Sequence, residues 1–205
     1  LLIDGNGGEP VKDSLVLIEG KKIVYTGEKK GFDRDYEVRD IAGKTIMPGL
    51  IDTHLHYSGN LSDNDTEWVL EPIFQKAVVA VAQAREALEN GLTSVGEISR
   101  FGPYIRDMIE KGVIPGPRTV TAGIGFCRTA GHGDSHKLPL EYNEFSHPWA
   151  ERVDGPWELR KAIRRNIREN PDAIKIWSTG GGIWRHDKKA DSHYTLEEIQ
   201  AVVDE

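Results

Sequence analysis

Pro48-Gly49-Leu50-Ile51-Asp52-Thr53-His54-Leu55-His56 is an apolar, strand-like run that ends in two histidines one residue apart. Residues two apart on a strand point to the same side, so His54 and His56 present two imidazoles on one face. Two neutral imidazoles suit Zn²⁺ and other first-row divalent ions. The plain alternative is a pair of surface or loop histidines. Position favours the metal: the run closes the first strand of an alternating pattern, and barrel enzymes build their sites at the C-terminal ends of strands.

Upstream of this run the chain reads as β. Leu15-Val16-Leu17-Ile18 and Ile23-Val24-Tyr25 flank the short turn segment Glu19-Gly20-Lys21-Lys22, a hairpin signal. A further short strand is expected to end near Ile41, with Gly43 turning the chain. Leu1-Leu2-Ile3-Asp4-Gly5 has no initiator Met, no basic n-region and no cleavage pattern, and reads as the middle of a strand. The chain is thus expected to begin inside an element.

Downstream, strand and helix alternate. Ile46 to His56 is the first strand. Glu67 to Asn90 is a helix, with Leu70, Ile73, Phe74, Ala77, Val78, Val81 and Leu88 at spacings of three and four, and Gly91 as its stop. Thr93 to Ile98 is a strand, Pro103 to Lys111 a helix stopped by Gly112, and Arg118 to Phe126 a strand. A long loop runs from Arg128 to Asp154, then a Pro-started helix from Pro156 to Asn170 and a strand from Ala173 to Ser178. Thr195 and Glu198 form a capping box that opens a last helix.

This order predicts an α/β fold in two parts. Residues 1–47 are a small β module, and residues 48–205 hold four βα units with a parallel sheet and helices outside. At roughly 40 residues per unit, a β module plus an eight-unit barrel exceeds the ~250 residues of a bare barrel, so this chain holds about half of one. An open, doubly wound four-stranded sheet is the alternative. Its dinucleotide-binding version is disfavoured, because no glycine fingerprint follows the first strand.

Composition excludes other classes. The 205 residues carry 26 Lys+Arg against 33 Asp+Glu, a net charge of -7, which argues against a nucleic-acid groove. No apolar run approaches the roughly 20 residues of a membrane span. The single cysteine, Cys127, makes neither an internal disulfide nor a cysteine zinc cluster, and a reducing, cytoplasmic setting is the simple reading. Gly43-Lys44-Thr45 suggests a phosphate loop, but Val38 stands where the first glycine is needed.

Three further features concern chemistry. Lys175 lies inside the apolar strand Ile174-Lys175-Ile176, facing away from both isoleucines. Burial lowers a lysine's pKa and frees the neutral amine, which can add CO₂ and become a two-oxygen anionic bridge between metals. The alternative is a lysine that snorkels to the strand end. His132, in Gly131-His132-Gly133-Asp134, either touches substrate or belongs to a turn held by its glycines and Asp134. Gly180-Gly181-Gly182 either allows close backbone approach to a ligand or is a flexible turn. His136, His147, His186 and His193 are expected at the surface.

Taken together, these motifs resemble the metal-dependent amidohydrolase superfamily. The resemblance rests on Gly43 to His56 and on the β module Val16 to Val24. Pro115-Gly116-Pro117-Arg118, the Gly131 to Asp134 loop and the Ile174 to Ile176 strand are most similar to the imidazolonepropionase-like and Xaa-Pro-dipeptidase-like branch. The resemblance spans essentially the whole chain. It implies an incomplete (β/α)₈ TIM barrel, the first four βα units, preceded by part of a β-sandwich. It also implies that His54, His56 and carboxylated Lys175 bind two Zn²⁺ ions, bridged by the lysine. The superfamily's remaining ligands, a histidine after the fifth strand, one after the sixth and an aspartate after the eighth, have no counterpart here. His186 and His193 do not match those positions, and Ser94 to Glu97 departs from the usual second-strand segment.

The expected function is metal-dependent hydrolysis of a carbon–nitrogen bond in a small, non-peptide amide, with His132 contacting substrate. A Xaa-Pro-type dipeptidase or a non-catalytic assembly protein are the alternatives. The 205 residues alone are expected to be inactive, and the full-length protein to be a homo-oligomer with no nucleic-acid or membrane partner.

Overall fold

A strand shows its pairing by which residues it buries. The computed structural model of the protein describes residues 1–32, 35–60, 64, 67, 70–142, 149–185 and 187–205. Two compact units emerge, Leu1–Gly49 and Leu50–Glu205, and the fold is mixed α/β.

In the first unit, β1 (Ser14–Glu19) and β2 (Lys22–Glu28) form the expected antiparallel hairpin. Gly20 turns it at φ +61°, a value open to glycine without strain. Leu2 is buried and bridges both Val11 and Ile46. The strand expected to end at Ile41 does not form. Val38 is 82% exposed, so no apolar face is buried there to hold a strand.

In the second unit, β3 (Leu50–Leu55), β4 (Leu92–Glu97) and β5 (Arg118–Thr121) make a parallel sheet in chain order. The first strand is shorter than Ile46 to His56, because Pro48 lacks the N–H that would continue a ladder. Helices α1 (Ile73–Glu89) and α2 (Gly102–Glu110) are the intervening connections. Helix α1 begins at Pro72 as N-cap; its expected start at Glu67 falls partly outside the described residues. Gly91 and Gly112 end the two helices at positive φ.

Helix α1 turns an unexpected stripe inward. Lys76, Ala80, Ala84 and Ala87 are buried, while Phe74 and Val78 are 84% and 71% exposed. Ala80, Ala84 and Ala87 join Tyr57, Val95, Phe101 and Ile105 in one core cluster. Alanine lets the helix approach the sheet closely; of the predicted stripe, Ala77 and Val81 pack against this cluster, while Leu70, Ile73, Phe74 and Val78 are turned away.

The third strand is broken. β5 stops at Thr121, and β6 (Gly125–Cys127) resumes after Gly123, whose φ is +61°. The Asn166 amide clamps the break by donating to the Ala122 and Ile124 carbonyls at 2.9 and 3.3 Å. A Cβ on Gly123 would overlap Asn166. The expected loop Arg128 to Asp154 contributes a 3-10 turn (Leu140–Tyr142) and β7 (Ala150–Arg152), which pairs parallel to β6. On the other side of β6, the expected strand Ala173 to Ser178 is reduced to a single parallel bridge, Phe126 to Ile176. The Phe126 N–H donates to Lys175 O at 2.9 Å and the Trp177 N–H to Phe126 O at 3.0 Å. Helices α3 (Pro156–Arg168) and α4 (Leu196–Asp204) join Phe126 in one core cluster, α3 through Leu159, Ala162 and Ile163 and α4 through Ile199 and Val202. The Thr195/Glu198 capping box forms as expected.

Buried charge fastens the sheet to α2. Arg106 Nη1 meets Asp172 Oδ2 at 2.9 Å, and the same carboxylate oxygen accepts the Thr121 N–H at 2.8 Å. Glu97 is 1% exposed and points into the helix layer, the side to which Val95 also turns. Its oxygens accept the Tyr57 N–H at 3.1 Å and the Thr121 hydroxyl at 2.9 Å. A cleft of about 650 Å³ opens among α1, α2 and α3, and its lining includes none of His54, His56, His132 and Lys175.

Burial pushes the Glu97 carboxyl up to about 7, against the hydrogen bonds that favour its charge. In the unfolded chain it ionises near its ordinary value of 4.5. The folded state therefore holds a proton that the unfolded state has released, and stability falls as pH rises through that window, then levels off. The whole effect is on the order of 3 kcal/mol. Glu97→Gln keeps the shape without the charge. Urea denaturation at pH 5 and pH 8 should show the variant gaining stability over the parent at pH 8 but not at pH 5. An equal difference at both pH values would contradict this.

Candidate functional site

Alternation on β3 sorts its side chains. Leu55 packs against the helix-side core, and His54 and His56 take the other face. Their rings stand 5.1 Å apart, edge to face. His54 is exposed and His56 is half-buried.

The His56 ring is oriented by the backbone. Its Nδ1 lies 2.7 Å from the Ile98 carbonyl oxygen, which can only accept, so the proton sits on Nδ1 and Nε2 keeps its lone pair. Burial holds His56 below the usual imidazole range, although the Ile98 carbonyl works in the opposite direction. A neutral imidazole with one nitrogen tied to a carbonyl and the other free is the arrangement that metal-ligating histidines adopt. His56 fits a divalent ion on these grounds.

Lys175 sits between Ile174 and Ile176, which both pack into the second core cluster, so its side chain takes the opposite face. Its Nζ is 5.4 Å from the Trp177 ring, and burial holds the amine below the usual lysine range. Lys175 also bears electrostatically on His56. Gly125 provides its space, since a Cβ there would come 3.0 Å from Lys175 Cγ. A half-buried amine of lowered pKa fits the chemistry of carbamate formation. Among the described residues, no group of three or more His, Cys, Asp or Glu side chains is placed to hold a metal ion.

His132 belongs to a second cluster. Its Nδ1 is 2.7 Å from Asp187 Oδ2, and its ring is 6.5 Å from that of Trp177. The other residues of its motif are architectural. Asp134 Oδ2 accepts the Ala130 N–H at 2.8 Å, and a Cβ on Gly133 would come 2.8 Å from the Ala150 Cβ. The glycine triplet is no free turn. A Cβ on Gly180 would overlap the Lys188 carbonyl, and one on Gly181 would overlap the His132 ring. The close approach is to the protein itself.

One surface expectation is wrong. His193 is 3% exposed, with Nε2 3.6 Å from Asp187 Oδ1. The polar carboxylate beside it makes an interior place for an imidazole that chain position alone does not reveal. His136 is half-buried and stacks on Trp184, 5.6 Å between centroids. His147 and His186 lie outside the described residues. Sequence reading also missed Asp187, Glu97, and the indoles Trp149, 5.8 Å from His56, and Trp177. None has a local signal; each matters through a partner distant in the chain.

The chain matches known proteins along its whole length. Residues 45–205 match the model of the Amidohydrolase family. Ochratoxinase of Aspergillus niger is 30% identical over 224 aligned residues, which cover 100% of this chain and 46% of that protein. A solved prolidase complexed with N-methylphosphonate-L-proline is 28% identical with a TM-score of 0.82, covering 99% of this chain and 51% of that one. Imidazolonepropionase of Streptomyces griseus is 39% identical over 46 residues, 22% of this chain and 12% of that protein. The chain spans about half the length of the ochratoxinase and of the prolidase.

The contact of Gly181 with His132 yields a test. Gly181→Ala must displace the imidazole or the loop, an overpacking that costs about 1–3 kcal/mol. Gly182→Ala meets no close atom, only the strain of φ +80°. Imidazole NMR should show the His132 signals moved by Gly181→Ala and little changed by Gly182→Ala. Equal effects would contradict the contact.

Proposed function

The chain belongs to the amidohydrolase family, and from that membership we propose that the protein hydrolyses a carbon–nitrogen bond in a small amide, with His54, His56 and Lys175 as metal ligands. The observation that carries this is the pair of imidazoles on one face of β3, with the His56 lone pair left free by the Ile98 carbonyl. When bound, divalent ions, two Zn²⁺ in this reading, supply a Lewis acid that activates water and polarises the substrate carbonyl.

The chain's own residues divide the remaining tasks. The Ile98 carbonyl fixes the His56 tautomer. Lys175, as a carbamate, offers two oxygens in place of one amine. His132 meets the substrate from the loop after the third strand. Trp177, which lies near both Lys175 and His132, offers an apolar surface beside them.

Residues 48–205 are read as the first four βα units of a (β/α)₈ barrel, and residues 1–47 as part of a β-sandwich. The parallel order β3-β4-β5 and the bridge from Phe126 to Ile176 support the barrel reading. The exposed faces of α1 at Phe74 and Val78 would receive further elements of the full-length protein. The substrate is a small amide, dipeptide-like compounds included. The likeness to a prolidase complexed with a small proline derivative supports the dipeptide side.

Two measurements on the full-length protein test this reading. His54→Ala should lose most bound metal by elemental analysis; full occupancy would count against the ligand assignment. Lys175→Ala should lose activity and recover part of it with an added short carboxylic acid, which replaces the carbamate oxygens. Undiminished activity without the acid would rule out a required bridge.

A further inference from the structure

Asp187 is a fully buried carboxylate that the metal site does not use. Its surroundings are all donors. Oδ1 accepts the Gly181 N–H at 2.8 Å, and Oδ2 accepts the Ile183 N–H at 3.1 Å and faces His132 Nδ1 at 2.7 Å. His193 Nε2 stands 3.6 Å from Oδ1. Its Nδ1 is the acceptor of a long, 3.5 Å bond from the His132 N–H, so its proton belongs on Nε2, toward Asp187. Burial alone would raise the Asp187 carboxyl, but the bonds from His132, Gly181 and Ile183 outweigh it and hold the group below the usual carboxylate range.

A charged acceptor surrounded in this way leaves His132 one neutral form. Nδ1 must carry the proton, and Nε2 must carry the lone pair. The ring is held from other sides as well. The Trp184 indole N–H donates to the His132 carbonyl at 3.0 Å, and Gly181 approaches the imidazole so closely that a Cβ there would overlap it. The side chain nevertheless remains 24% exposed, beside Trp177, whose ring Lys175 Nζ also approaches. The loop after the third strand and the segment after the fourth therefore meet at one carboxylate.

We propose that Asp187 is a positioning residue: it locks His132 as the Nδ1–H tautomer and presents Nε2 to a hydrogen-bonding group of the bound substrate. This rests on the reading of His132 as the substrate-facing residue. With Nδ1 turned to Asp187, Nε2 carries the lone pair and accepts from a donor group of the substrate.

The tautomer can be read without activity. Long-range proton–nitrogen correlation spectra of the ¹⁵N-labelled full-length protein, assigned with His132→Gln, should show the Nδ1–H form at His132. Asp187→Asn should shift that signal toward the Nε2–H form, and His193→Gln should leave it unchanged. With a small amide substrate, Asp187→Asn should lower kcat/KM roughly 10- to 100-fold at unchanged metal content. Adding Asp187→Asn to His132→Gln should then cost little more, because the two act as one unit. An Nε2–H form in the unsubstituted protein overturns the proposal, and that measurement needs no variant to fold. An unchanged tautomer in Asp187→Asn overturns it too. An Nδ1–H form that depends on Asp187, in a protein that hydrolyses no amide, supports the hold on His132 while counting against the hydrolase reading.

Discussion

The two-residue period of a strand covered by helices on one face governs this molecule. Leu55, Val95, Phe126, Ile174 and Ile176 are claimed by the helix-side cores. What lies between them on the same strands must face the other way. That constraint, together with a register irregularity between Asp52 and Leu55 in the pairing with β4, turns His54 and His56 away from the helices, and Lys175 follows the same alternation beside β6. A one-residue slip in β3 would put Leu55 where the imidazoles stand and expose the core it fills. The apolar pattern and the functional pattern are therefore one pattern read on two faces.

The helix side has its own chemistry. Glu97, Arg106 and Lys76 are buried there, and Arg106 is tied to Asp172 across α2. Burial outweighs the hydrogen bonds at Glu97 and also holds Lys76 below the usual lysine range. Asp187 meets the reverse balance, with two backbone N–H groups and an imidazole aimed at it. Both carboxylates accept several hydrogen bonds, and they part because burial weighs more heavily on Glu97 than on Asp187. The charged one stands beside His132.

What the sequence revealed was local. The hairpin around Gly20, the glycine stops at Gly91 and Gly112, and the Thr195/Glu198 cap follow from residues a few positions apart, and all are present. What it hid was set by distant partners. The break at Gly123 is clamped by Asn166, and β7 finds its place beside β6 only through the return of the loop after the third strand. Helix α1 buries its alanines because the sheet is close, which periodicity cannot weigh. The burial of His193 and the role of Asp187 depend on a contact with a loop more than fifty residues earlier, as the 2.7 Å bond to His132 records.

The measurement that bears most directly on the site is an anomalous difference map at the zinc absorption edge, from crystals of the full-length protein grown with Zn²⁺ and bicarbonate. The account predicts a strong peak within coordinating distance of His54 and of His56 Nε2, with electron density extending beyond Lys175 Nζ to fit a carbamate. A zinc peak elsewhere, with both imidazoles free and Lys175 ending in a bare amine, would contradict it.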